Sequence, residues 1–90
     1  MTYLISPDKE TVFNALKTGQ TLSFFKHDSR YGLVDVRIYV TENLEIVVSP
    51  GADRNASELE SKFYRLEDWD MIWQEWGLEA TIRADGYTLM

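Results

Sequence analysis

The ninety residues contain no cysteine, one histidine and two prolines. Small secreted domains usually need disulfide staples, so a chain without cysteine is expected in the cytoplasm. One histidine and no thiol leave zinc almost without its ordinary ligands. No apolar run approaches the roughly 18 residues of a membrane span. The start MTYLISPDKE lacks the apolar core of a signal peptide, so no secretion signal is expected. There is no internal repeat, no low-complexity tract and no Pro/Gly/Ser linker. Ninety residues supply side chains for one hydrophobic core, so residues 1–90 are expected to form a single domain.

Positive charge is also scarce. Nine Lys and Arg face fifteen Asp and Glu, for a formal net charge of −6. Residues 1–57 hold seven acids and six bases, whereas residues 58–90 hold eight acids and three bases, so the nets are −1 and −5. Such a surface repels phosphate backbones, and direct nucleic-acid binding is not expected. It attracts a basic protein and speeds the encounter. Acidity also keeps a small protein soluble, whatever else it does.

Apolar residues, by contrast, are plentiful. Hydrophobic content is 44% and aromatic content 13%, enough for an ordered core. Residues 2–5 read as a short strand. Ser6 stands at an N-cap position, Pro7 at the first helical position, and Asp8 and Glu10 in the first turn. With the stripe Val12, Phe13 and Leu16, and Gly19 as a C-cap, this predicts a helix over 7–18. Three strands follow, over 21–27, 32–41 and 44–49. Leu22 and Phe24 alternate with polar residues in the first. In the second, Val34, Val36, Ile38 and Val40 alternate with Asp35, Arg37, Tyr39 and Thr41. In the third, Leu44, Ile46 and Val48 form the inner row. Glu42 and Asn43 suit a tight turn between the last two, and residues 27–32 a longer one before them.

After a loop over 49–56, Ser57 and Glu60 fit a capping box. Apolar residues at 59, 63, 66, 69, 73 and 76 have helix spacing as far as Gly77, which predicts a helix over 58–76. A second start signal at Glu67 and Asp68 warns of a break near residues 65–67, and SKFYRL also reads as a strand. Leu78, Ala80, Ile82 and Ala84 alternate as in a strand over 78–84, and Asp85 with Gly86 reads as a hairpin turn before the last residues. The expectation is an α+β domain of order (β)αβββαβ(β), with helices on one face of a mainly antiparallel sheet.

The segment LEDWDMIWQEWG, residues 66–77, combines all three tryptophans with four acids. Wound as an α-helix, it places Leu66, Trp69, Ile72, Trp73 and Trp76 in one sector, with Trp73 close to the centre. Glu67, Asp68, Asp70, Gln74 and Glu75 fill the other side. Tryptophans then face the sheet and carboxylates face solvent. Met71 falls in the acidic sector, with Glu67 and Glu75 four residues away on either side. Neither glutamate finds an opposite charge there, so the arrangement adds nothing to a helix. A flexible apolar side chain ringed by carboxylates is suited to an interface, although exposed methionines also occur without function. Glu67, Asp68, Asp70, Met71 and Glu75 are therefore the candidate partner-binding residues.

No catalytic signature accompanies them. His27, Asp28 and Ser29 are adjacent in sequence, which is not how a triad is assembled. Asp68 and Asp70 diverge on a helix, no EF-hand loop is present, and no glycine loop cradles phosphate. No enzyme activity, cofactor or metal is expected. In size, acidity and lack of cysteine the chain is similar to small phage-encoded antagonists, such as anti-CRISPR and DNA-mimic proteins, and to bacterial toxin-immunity proteins. The likeness is one of composition, and it assigns no residue a role. The function expected is that of a non-catalytic inhibitor or modulator docking an acidic helix on a basic partner, such as a nucleic-acid-binding protein. The alternative is a self-assembling module, a homodimer pairing strands 33–41 and 78–84. Phe25, Tyr31, Tyr39, Tyr64 and Tyr87 are aromatics that a core does not need and a contact could use. A small hydrolase is the least favoured reading.

Overall fold

The computed structural model describes residues 8–30, 32–50 and 61–90. Helix α1 spans Lys9–Lys17. Strands β1, Leu22–Asp28, β2, Gly32–Val40, and β3, Glu45–Pro50, follow. Then come β4, Lys62–Arg65, a 3₁₀ turn over Leu66–Asp68, α2, Trp69–Glu75, α3, Leu78–Asp85, and β5, Thr88–Leu89. The five strands form one antiparallel sheet in the order β4-β3-β2-β1-β5. The α+β architecture with helices on one sheet face is as the sequence implies.

Strand alternation sets the two faces. Leu22, Phe24, Val34, Val36, Ile38, Ile46 and Val48 share one parity and pack with Val12, Leu16, Trp69, Ile72, Leu78 and Ile82. The opposite face carries Phe25, Leu33, Tyr39 and Phe63, all exposed. Val47 also points that way, in register between Tyr39 and Phe63, yet is only 2% accessible.

Helix α1 starts later than expected. Its N-cap is Asp8, whose carboxylate accepts the Thr11 N–H at 2.7 Å, while Ser6 and Pro7 lie outside the described residues. The C-terminal end is a Schellman motif. Gly19 adopts φ +100°, its N–H donates to Leu16 at 3.1 Å, and the Gln20 N–H donates to Ala15 at 3.1 Å. The strand suggested for residues 2–5 also falls outside the described residues, as do Tyr31, Ser57 and Leu59.

Several expectations require correction. The β2–β3 connection is a three-residue loop, residues 42–44, not a two-residue turn. Thr41 and Leu44 close it with a 2.9 Å bond, and Leu44 adopts φ 60°. Leu44 therefore leaves the inner row and is 64% exposed. His27 lies in β1 opposite Leu33 instead of in a turn, because the ladder runs on to Asp28 and Gly32.

The long helix over 58–76 does not form across its described part. Residues 62–65 instead hydrogen-bond to β3, with Phe63 opposite Val47 and Tyr64 opposite Ile46. Their helix-like spacing from Leu66 and Trp69 is coincidental, and the break falls where the second start signal stood.

Residues 78–84 are helical, not extended. Gly77 at φ 56° ends α2 and opens α3 directly. Leu78 and Ile82, four apart, enter the core, while Ala80 is exposed, so the alternation does not define a face. Gly86 caps α3 at φ 80° instead of forming a hairpin, and the last strand is β5. It pairs with Leu22 and Ser23, and Thr21 and Met90 exchange bonds of 2.9 and 3.0 Å beyond them.

Finally, β2 is the central strand and is paired on both sides, so it has no edge for a second copy. Tyr87 is buried and Tyr64 packs against the core, so neither is a spare aromatic.

Candidate acidic interface

Helix α2 is positioned by its two neighbours. The Trp69 ring stacks on Phe13 of α1, with centroids 5.5 Å apart and planes 10° apart. Its indole N–H donates to the Lys9 carbonyl at 3.0 Å. Ile72 is fully buried beneath, and Trp73 and Trp76 are partly buried at the flanks. The deepest tryptophan is thus Trp69, not Trp73 as winding residues 66–77 into one helix suggests. Anchoring through Trp69 and Ile72 turns Asp70, Met71, Gln74 and Glu75 outward.

Met71 is 46% exposed, at the centre of this outward face. Asp70 pairs with Lys9 Nζ at 2.8 Å, and Glu67 with Arg65 at 3.4 Å. Both carboxylates remain largely exposed, and solvent screens such pairs strongly. Glu75 is exposed and has no ion pair among the described residues. Asp68 has a different task. Its Oδ2 accepts the Arg65 backbone N–H at 3.0 Å, tying the 3₁₀ turn to the end of β4. The structure therefore brings Glu67, Asp70, Met71 and Glu75 to one surface around α2, and uses Asp68 to hold that surface in place.

Beyond Gln74 the α2–α3 elbow leaves a depression of about 390 Å³ lined by Trp73, Gln74, Gly77, Glu79, Ala80 and Arg83. Glu79 and Arg83 close its rim with a 2.9 Å pair, one helical turn apart. Trp73 lines this depression, while Met71, two residues earlier on α2, points away from it and is the apolar contact of the acidic surface.

Sequence reasoning missed two features. One is the outward row of Tyr39, Val47 and Phe63, because helix spacing was weighed ahead of the strand reading of SKFYRL that the structure bears out. The other is the placement of Lys26 and Lys62 on the helix-covered side of the sheet. Lys26 shares the parity of Leu22 and Phe24, a signal readable in QTLSFFK. Lys62 could be placed only once β4 was known. Among the described residues no group of three or more His, Asp or Glu is arranged to hold a metal ion, and no helix is long and apolar enough to cross a membrane. No protein-family model, no curated protein and no solved structure matches this chain.

Proposed function

We propose that this chain is a non-catalytic protein-binding module that inhibits or modulates a basic partner protein, such as one that binds nucleic acid. The observation that carries the reading is Met71, half-exposed at the centre of a surface bearing Glu67, Asp70 and Glu75. The binding element is the 3₁₀ turn with α2, shorter than a helix over 58–76 but carrying the same carboxylates. Long-range attraction brings the partner in, and Met71 supplies the desolvated contact. The net charge of −6 favours a cationic surface and opposes direct binding to nucleic acid.

The test pairs capture with kinetics. The immobilised chain is exposed to a lysate of its native host at low and high salt, and a captured basic protein is purified. Association is then measured with the Glu67→Gln, Asp70→Asn, Glu75→Gln triple variant. A slower on-rate with a flatter salt dependence is expected, whereas Met71→Ala raises the off-rate. An unchanged on-rate at low salt in the triple variant overturns the reading.

A second reading, self-assembly, rests on the opposite surface. Phe25, Leu33, Tyr39 and Phe63 expose apolar area on the sheet face away from the core. A homodimer formed there would pack face to face instead of edge to edge. Sedimentation over a concentration series separates the two readings, since this dimer is lost on Phe63→Lys and unaffected by the acidic triple variant.

A further inference from the structure

Two lysines face the helix-covered side of the sheet from distant strands. Lys26 shares the parity of Leu22 and Phe24 on β1, and Lys62 that of Tyr64 on β4. Two whole strands separate β1 from β4. Both ammonium groups nevertheless reach Trp76, at 4.5 Å for Lys26 and 5.7 Å for Lys62 from the ring centroid. These distances place the two Nζ atoms within about 10 Å of each other. Neither pairs with a described carboxylate, in a chain where acids outnumber bases fifteen to nine.

The same ring carries an unmet donor. Trp76 Nε1 is buried and, among the described residues, is the one buried side-chain nitrogen or oxygen without a hydrogen-bond partner. Trp69, seven residues earlier, has its indole N–H satisfied by a carbonyl. Burying a donor without an acceptor forfeits its hydration, and native structures rarely tolerate it.

Edge protection accounts for part of this. Lys62 lies on the edge strand β4, and Lys26 lies on the part of β1 beyond its two-residue pairing with β5. Inward-pointing lysines discourage pairing at such edges. That role does not require both ammonium groups to meet on one ring, and it leaves the indole N–H without an acceptor.

We propose that Lys26, Lys62 and Trp76 Nε1 form a binding site for a single dianionic phosphoryl group. Two cations match two negative charges, and the indole adds a neutral donor. A tetrahedral phosphoryl group presents oxygens in diverging directions, which suits donors arriving from β1, β4 and the end of α2. A carboxylate carries half the charge, with two oxygens in one plane. A polyanion is opposed by the net charge of −6. Contact with the ring holds the ammonium groups near the site without neutralising them. Lys62 is exposed and Lys26 half-buried, so both can turn toward a ligand beside the indole.

The test is a titration of the ¹⁵N-labelled full chain with inorganic phosphate at pH 8, where the dianion dominates. It is read on the three indole N–H signals, with Trp76 assigned through Trp76→Phe. The expected result is a saturable downfield shift of the Trp76 signal. Sodium chloride at equal ionic strength leaves that signal in place, and acetate moves it less at each concentration. Lys26→Met and Lys62→Met each weaken phosphate binding about tenfold or more, as loss of a charge-assisted hydrogen bond does. Absence of a saturable shift overturns the proposal. So does an equal response to chloride, which is screening, or a stronger response to acetate, which is a carboxylate site. Unchanged affinity in both lysine variants also overturns it. The titration of the unmodified chain decides the matter even if a variant fails to fold.

Discussion

The Phe13 ring lies flat against Trp69, with centroids 5.5 Å apart and planes inclined by 10°, joining α1 to α2 across the top of the sheet. The Trp69 indole N–H, 3.0 Å from the Lys9 carbonyl, adds a polar fastening to the same junction. Trp69 should therefore dominate the stability of this layer. Trp69→Ala is expected to destabilise the fold by roughly 3–5 kcal/mol, and Trp73→Ala by about half as much, because Trp73 is only partly buried. Urea melts of the two variants check the order, and an equal or larger loss for Trp73 refutes it.

Leu44 is the one non-glycine residue with positive φ among the described residues, and most of its side chain is exposed. The left-handed conformation costs an L-residue about 1–2 kcal/mol, and little burial offsets it here. Leu44→Gly is expected to be neutral or to stabilise by up to about 1 kcal/mol. A thermal melt showing a clear loss of stability would contradict this reading of the loop.

The carboxylates of the candidate interface should separate into two classes on mutation. Asp68→Ala removes the acceptor for the Arg65 N–H and should cost about 1 kcal/mol. Glu75→Gln should change stability by less than about 0.5 kcal/mol, since an exposed side chain without an ion pair contributes little. Denaturant midpoints measured side by side test the separation, which matters because only the second class is available to a partner without loss of fold.

Asp8 should govern part of the acid limb of stability. Hydrogen bonds from the Thr11 side chain and backbone N–H hold its carboxyl below the ordinary carboxylate value. A folded-state value lower than the unfolded one means that the unfolded chain binds the proton more readily. The stabilising contribution is thus complete above the ordinary aspartate range, roughly pH 4, and is lost as pH falls through the lowered folded value. Asp8→Asn should consequently show its deficit at neutral pH, narrowing as pH falls below about 4. A deficit that does not change between pH 7 and pH 2.5 would place the cap's contribution elsewhere.

In β1, in β2 and at the end of α1, the sequence was sufficient. Strict alternation in β2 and the strand pattern of β1 identified the core-facing row, because period two assigns each residue to a face without reference to anything distant. Gly19 closed α1 as its position implied, since a left-handed residue there depends only on the turn it ends. The exposure of Met71 with Asp70 and Glu75 followed from helical geometry within α2 alone, and Glu67 joins them from the 3₁₀ turn. Tertiary structure decided the rest. Residues 62–65 had helix-compatible spacing, but an open edge on β3 offered them backbone partners, and that ladder prevailed. Residues 78–84 alternated like a strand, yet Gly77 turned the chain back so that Leu78 and Ile82 could fill the space above β1. Which tryptophan was deepest depended on Phe13, fifty-six positions away. The meeting of Lys26 and Lys62 on Trp76 required three elements to be placed at once. Local geometry is written in neighbouring residues, whereas competition for a free sheet edge or a core vacancy is resolved only when the whole chain packs.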